Sequence, residues 1–247
     1  MKIQYFKDIS FFSPLENILF DEVLLNLAEE GFLGETLRFW ESAQPFIVLG
    51  RIGKLREEIH LEVVQADRIP VLRRSSGGGT VLQGQGCLNY TLILSKESDP
   101  LLGDVRKSYQ IILNKVIDIF KSLNIEVSFR STSDLVLENE ERKFSGNAQR
   151  RGKKFILHHG TFLYDFHLPL MGKYLKIPKK IPPYRLGRSH NDFLINLNVS
   201  PARIKQAFQH YFQIEKVDSI LGEREEQSLK EFLTKKSVKS STNVAED

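Results

Sequence analysis

The chain has 247 residues, 41% hydrophobic and 27% charged, the balance of a globular protein long enough to bury a core without staples. One cysteine, Cys87, excludes an internal disulfide framework and a cysteine-rich zinc site; a net charge of +4 suits anionic ligands, but no basic run points to nucleic acid. No apolar stretch approaches the ~20 residues of a membrane span, and MKIQYFKDIS lacks a secretory core, so a cytoplasmic protein without membrane contact is expected.

Residues 14–31 (PLENILFDEVLLNLAEEG) set Leu15, Ile18, Leu19, Val23, Leu24 and Leu27 near helical spacing, with Pro14 suited to the first turn and Gly31 to the end. Strand formers dominate residues 36–42 and 46–51, on either side of Pro45. A helix is expected in LREEIHLEVVQADRIP, ended before Pro70. VLRRSS then reads as a strand entering the glycines, and CLNYTLILS as one leaving them. Residues 102–123 form a second amphipathic helix, carrying Val105, Tyr109, Ile112, Val116, Ile119 and Phe120. Residues 134–166 hold two or three strands with turns at Asn139-Glu140 and Arg151-Gly152. Short helices follow around residues 168–175 and 200–211, and KKSVKSSTNVAED reads as a frayed tail. The pattern implies an α+β fold with a mainly antiparallel or mixed sheet flanked by helices. Residues 1–215 are expected to form the main domain and residues 216–247 a polar C-terminal helix or tail.

The stretch RRSSGGGTV fits neither phosphate loop with a sequence signature. No Gly-Lys-Ser/Thr opens a helix, and Gly84 and Gly86 lack the third glycine of a dinucleotide site. Two readings remain: a backbone cradle for an anion, supported by Arg73 or Arg74, or a tight hairpin with surface arginines. Strand alternation sends one of the two arginines inward and the other outward. ERKFSGNAQRR supplies Lys143, a solvated charge or a site lysine. In LHHGTFLYDF, the adjacent His158 and His159 point to opposite strand faces and cannot readily share a metal. In YRLGRSHNDFLINL, Arg185, Arg188, His190 and Asp192 either border a pocket or hold their own loop.

In order and spacing, RRSSGGGTV, KFSGNAQRR and HHGTFLYD resemble the catalytic domain shared by lipoate–protein ligases, octanoyltransferases and biotin protein ligases, closest to the lipoate branch. LRFWESAQPFIVLGR and the helix with Asp21 and Glu22 resemble its opening, so the likeness runs from about residue 14 to 200. It implies that ATP, accompanied by Mg²⁺, activates lipoate or octanoate as an acyl-adenylate, with no permanently bound metal. The acyl group then passes to a lysine of a lipoyl-carrier domain: a 2-oxo acid dehydrogenase acyltransferase component or the glycine cleavage H protein. By the same resemblance Lys143 is the catalytic lysine. Arg73, Arg74, Ser76, Gly77, Gly78, Gly79 and Thr80 lie against the acyl group and phosphate. Ser145, Gly146, Asn147 and Ala148 follow the lysine, and His159, Gly160 and Thr161 close the pocket.

The chain departs from the pattern in four places. Gln83 stands where many relatives have histidine, and Asn147 where serine is more usual. Neither thioester-forming cysteine of the transferases is present; Cys87, a buried small hydrophobe or a pocket thiol, is the remaining candidate nucleophile. Residues 216–247 are too few for the accessory domain of many ligases, which leaves room for a separate accessory subunit. A cysteine transferase and a non-catalytic carrier-binding relative are the alternatives to a ligase.

Overall fold

The computed structural model describes residues 1–131 and 133–242. Its elements run β1 (Tyr5–Asp8), α1 (Pro14–Glu29), β2 (Thr36–Trp40), β3 (Phe46–Leu49), α2 (Leu55–Glu58), α3 (Leu61–Ala66), β4 (Val71–Arg73), β5 (Val81–Gln83) and β6 (Cys87–Ser95). There follow α4 (Val105–Ser122), β7 (Val127–Arg130), β8 (Asp134–Leu137), β9 (Arg142–Arg151), β10 (Phe155–Leu163), α5 (Pro169–Tyr174), α6 (His190–Phe193), α7 (Pro201–Tyr211) and α8 (Glu223–Thr242). A seven-stranded sheet has the order β1-β2-β6-β10-β9-β8-β7, and a three-stranded sheet the order β4-β3-β5. All pairs in the large sheet are antiparallel except β1 with β2. The mixed sheet with flanking helices agrees with the expected α+β fold.

Alternation gives the large sheet two faces of different chemistry. One face carries Leu88, Tyr90, Leu92, Phe144 and Phe162 against Ile112, Val116 and Phe120 of α4 and Ile204 and Phe208 of α7. Tyr90 stacks on Phe162 with centroids 4.6 Å apart. On the other face Ile93 and Leu157 receive the apolar stripe of α1, and Leu229 of α8 joins that layer. Each fully buried Leu or Phe in these layers contributes ~1.5–3 kcal/mol through burial. The rest of this second face is roofed by the small sheet, and the cavity lies between them.

Three local expectations change. The helix expected over residues 55–69 is two short helices, because buried Ile59 takes an extended conformation (φ −129°) and bridges to Leu175. The described part of the stretch expected to fray is helical: α8 continues to Thr242, anchored by Leu229 and by buried Glu225, which accepts from Lys7 at 2.9 Å. Residues 243–247 of that stretch lie outside the described residues. Strands β1 and β7 were not foreseen; each is only four residues long and lies at an edge of the sheet.

Candidate active site

A cavity of about 690 Å³ opens between the two sheets. Its floor is ordered by register: Thr91, His159 and Ala148 form one row across β6, β10 and β9, which buried Arg38 of β2 continues beyond the lining. Trp40, Asn89, Thr161 and Gly146 form the next, with Asp134 of β8 beside Gly146. The roof is the glycine loop with Val48, Val81 and Leu82, and residues 176–189, between α5 and α6, cross one side.

Arg74 explains the shape of the glycine loop. Its Nη2 donates to the carbonyls of Gly77 (2.7 Å) and Gly79 (2.8 Å), Nη1 to Val48 O (3.2 Å), and Nε to Ser76 Oγ (3.0 Å). Four of its five N–H groups are therefore engaged in holding the loop. Burial pushes this guanidinium down to about 10. With the carbonyls drawn towards Arg74, the N–H groups of Gly77, Gly78 and Gly79 make no hydrogen bond among the described residues and lie in exposed backbone. A run of free N–H groups can receive an anionic oxygen. Gly78 sits at φ +89°, and a Cβ there would approach Arg74 Nη2 to 3.0 Å, so glycine is required by conformation and by contact.

A buried chain of polar groups supports the loop from below. Ser76 Oγ meets His159 Nε2 at 2.7 Å, and His159 Nδ1 lies 3.4 Å from Asp21 Oδ2. Asp21 also accepts Thr91 Oγ1 (2.8 Å) and Arg38 Nη1 (2.6 Å). Burial acts to raise the Asp21 carboxyl, but Arg38, His159 and Thr91 overcome it and hold the group below its ordinary range. The Ser–His–Asp order resembles a nucleophile relay, yet Ser76 is 1% exposed and does not border the cavity. Its hydroxyl serves as a strut.

Lys143 reaches the cavity because of a β-bulge. Leu135 pairs with Ser145 and Val136 with Lys143, leaving Phe144 as the extra residue. Regular alternation would put Lys143, three residues from Gly146, on the opposite face; the bulge returns it to the cavity side. There its Nζ lies 2.8 Å from Asp134 Oδ1, and Tyr184 Oη donates to the other Asp134 oxygen at 2.7 Å. A Cβ on Gly146 would stand 2.9 Å from Nζ, so that glycine makes room for the ammonium. Arg185 also borders the cavity; it is 3% exposed, stacks on Phe193, and has a buried Nη2 with no partner.

The remaining expected site residues divide. Thr80, Ser145, Asn147, Ala148, Gly160 and Thr161 border the cavity with Lys143, Arg74, Gly78, Gly79, Gly146 and His159. Ser76 and Gly77 belong to the loop but not to the lining. Arg73 points away, donating to Gly50 O (3.0 Å) and Gly53 O (2.7 Å), so of the arginine pair only Arg74 faces inward. Cys87 does not border the cavity: it is fully buried with Ile47, Leu82, Leu163 and Phe166, and burial pushes its thiol far up. His158 faces the opposite side from His159, near Tyr90 Oη (3.2 Å) and Gln149. Among the described residues no group of three His, Cys, Asp or Glu could hold a metal. The sequence reading missed Asp134, Trp40 and Glu58, which borders the cavity and accepts the Thr80 hydroxyl. Only Asp134 carried a usable signal, an acid opening the strand that pairs with the Lys143 strand.

Residues 13–234 match the family model of the lipoyl protein ligase A/B catalytic domain. The chain belongs to this family. Within it, 169 residues are 32% identical to the Mycoplasma genitalium protein named "Probable lipoate-protein ligase A", covering 68% of this chain and 48% of that protein. The chain thus spans about half the length of this ligase-named relative. The octanoyltransferase LipM of Halalkalibacterium halodurans is 27% identical over 227 residues, 81% of this chain and 82% of its own. The bi-partite lipoate protein ligase of Thermoplasma acidophilum shares the fold with a TM-score of 0.79 at 21% identity, covering 95% of this chain and 93% of that one. A lipoate-protein ligase A bound with ATP does so at 0.78 and 21% identity, covering 95% of both chains. No helix among the described residues is long and apolar enough to cross a membrane.

Proposed function

We propose that the chain is an ATP-dependent lipoate–protein ligase. It would activate lipoate or octanoate as an acyl-adenylate and pass the acyl group to a lysine of a lipoyl-carrier domain. The observation that carries this reading is the contrast between Lys143 and Cys87: an ammonium faces a cavity beneath an anion-binding loop, while the only thiol is sealed in the core. Adenylate formation needs no protein nucleophile. It needs donors where charge builds on the α-phosphate and carboxylate oxygens as pyrophosphate leaves. The Gly78 and Gly79 N–H groups and Lys143 are such donors. Lys143 moves from Asp134 to the reacting oxygens as a compact charge on a flexible stem. Mg²⁺ enters with ATP, held mainly through the phosphates. The likeness to a ligase bound with ATP, and to one studied with its E2 lipoyl domain, supports the choice of nucleotide and acceptor class.

The test is ATP–pyrophosphate exchange by the purified chain. Exchange that depends on lipoate or octanoate, and needs no acceptor, is expected. No exchange with either acid would remove the ligase reading. A second reading, octanoyl transfer from a carrier thioester, is favoured by the relatives named octanoyltransferase LipM. It requires acyl transfer without ATP and an acyl adduct on Cys87.

A further inference from the structure

The carboxylates of the cavity are matched to cations, with one exception. Four acids border it: Asp21, Glu22, Glu58 and Asp134. Asp21 pairs with Arg38 (2.6 Å), Glu22 with Arg150 (2.8 Å) and Asp134 with Lys143 (2.8 Å). Glu58 has no ion pair among the described residues, because the lysines around it are engaged elsewhere. Lys54 and Lys179 pair with Glu57, and the Lys176 ammonium donates to the Arg56 carbonyl (2.8 Å). Arg74 feels the Glu58 charge only from beyond contact, its own N–H groups being given to the glycine loop.

Glu58 is nonetheless fixed in place. Its Oε1 accepts the backbone N–H of Lys54 (3.0 Å), and its Oε2 accepts the hydroxyl of Thr80, the residue after Gly79. A Cβ on Gly53 would stand 2.9 Å from Oε1, so the turn before α2 is shaped around this carboxylate. The helix α2 buries no residue, and Arg56 and Glu57 beside Glu58 are exposed. Glu58 is thus a rim group, carried by a surface element and reaching both the cavity and the end of the glycine loop. A carboxylate offers about four acceptor sites, of which two are filled here, while its charge is unmatched. A hydroxyl would fill a further site without balancing the charge. An ammonium does both.

We propose that Glu58 receives the ammonium of the acceptor lysine and takes its proton, as a catalytic residue of the transfer step. The proposal rests on the ligase reading and deepens it. A folded carrier domain is too large for a cavity of about 690 Å³ and enters it only with a side chain. The group that meets its lysine therefore belongs at the rim. A lysine arrives charged at neutral pH and must lose a proton before its lone pair can attack. That proton passes through Glu58 to solvent. The nitrogen then bonds to the acyl carbon, and the carbon–oxygen bond to phosphate breaks with its electrons on AMP. The second nitrogen proton leaves with the departing phosphate.

The experiment follows single-turnover transfer from added lipoyl-adenylate to a lipoyl-carrier domain, by the full chain and by Glu58→Gln. The substitution keeps the shape and one acceptor oxygen but removes the charge. Transfer to the carrier lysine should slow at least about tenfold. Transfer to hydroxylamine, which arrives uncharged, should stay within about twofold of the unaltered chain. Equal slowing with both nucleophiles means that Glu58 only holds Thr80 and the loop, and overturns the proposal. So does unchanged transfer to the carrier, or a defect confined to the KM for ATP in pyrophosphate exchange. A comparison on the unaltered chain needs no variant to fold. Butylammonium should compete with the carrier, and butanol at the same concentration should not; equal effects of the two overturn the proposal. Absence of both exchange and transfer in the unaltered chain overturns the ligase reading and the proposal with it. Normal exchange with unslowed transfer by Glu58→Gln overturns the proposal alone.

Discussion

Lys143, Cys87, Asp21 and Arg38 each sit in surroundings that set their consequences. Lys143 borders the cavity and is only part-buried, so replacing it with Met should lower adenylate formation by about 10²–10³-fold, the range for losing one preorganised donor. Its melting temperature should stay near that of the parent, which differential scanning calorimetry can check. Cys87→Ala should retain activity to within about twofold while losing ~1 kcal/mol of stability in urea melts, as expected for trimming a packed core atom. An inactive but folded Cys87→Ala would instead favour a thioester route. Asp21 and Arg38 are a buried ion pair, and Arg38 also donates to Asn17 O (2.8 Å) and Ile9 O (3.1 Å). Asp21→Asn strands that guanidinium without its counter-charge, and a loss of about 3 kcal/mol or more is expected in the same melts. Lys143 was legible in sequence because it stands two residues before a Ser-Gly pair in a recognisable segment. Asp21 was noticed only as part of a helix. Its partners Arg38, Thr91 and His159 lie on three other strands, and no local pattern joins them.

At the level of elements, the glycine loop, the bulge in β9 and the segment between α5 and α6 build the site. Gly78→Ala forces a Cβ into positive φ and against Arg74 Nη2, a strain of about 1 kcal/mol or somewhat more. Since the loop carbonyls are anchored to Arg74, that strain should displace the N–H groups. Adenylate formation is expected to fall at least about tenfold, with most of the change in the KM for ATP, in steady-state kinetics. The long helices α1 and α4 and the central strands β6 and β10 were plain in the sequence, because length and periodicity agree there. The break in the helix at Ile59 was not, because it depends on a bridge to Leu175, more than a hundred positions away. The bulge was hidden for a similar reason: it is a mismatch between β8 and β9, and either strand alone reads as regular. The arginine pair shows how far alternation reaches. It required that one face inward, but only the loop carbonyls decide that Arg74 is the one.

Across the whole molecule, the sheet separates an apolar, aromatic face from a polar, cavity-bearing one, and His158 sits on the wrong side for a charge. Burial, with a smaller effect of His159, pushes its imidazole down to about 3. The unfolded chain takes up a proton at this residue near pH 6.5 and the folded chain does not, so stability is intact above that pH and falls as pH drops towards 3. At pH 5 the loss relative to pH 7.5 is about 2 kcal/mol from this residue alone. Urea melts of the parent and of His158→Gln at the two pH values should show that extra slope in the parent only. The fold class was readable from the alternation of helix and strand periods. The division of the strands into two sheets was not, because β3, β4 and β5 carry no mark of which edge they join. The reading of the protein as a ligase turns on whether ATP alone drives acyl transfer. The most direct measurement is the intact mass of a lipoyl domain incubated with the chain, lipoate, ATP and Mg²⁺. A lipoyl mass increase that requires ATP, disappears with Lys143→Met and persists with Cys87→Ala is the expected result. No increase with ATP, together with one from an octanoyl carrier protein in its absence, would contradict the ligase reading.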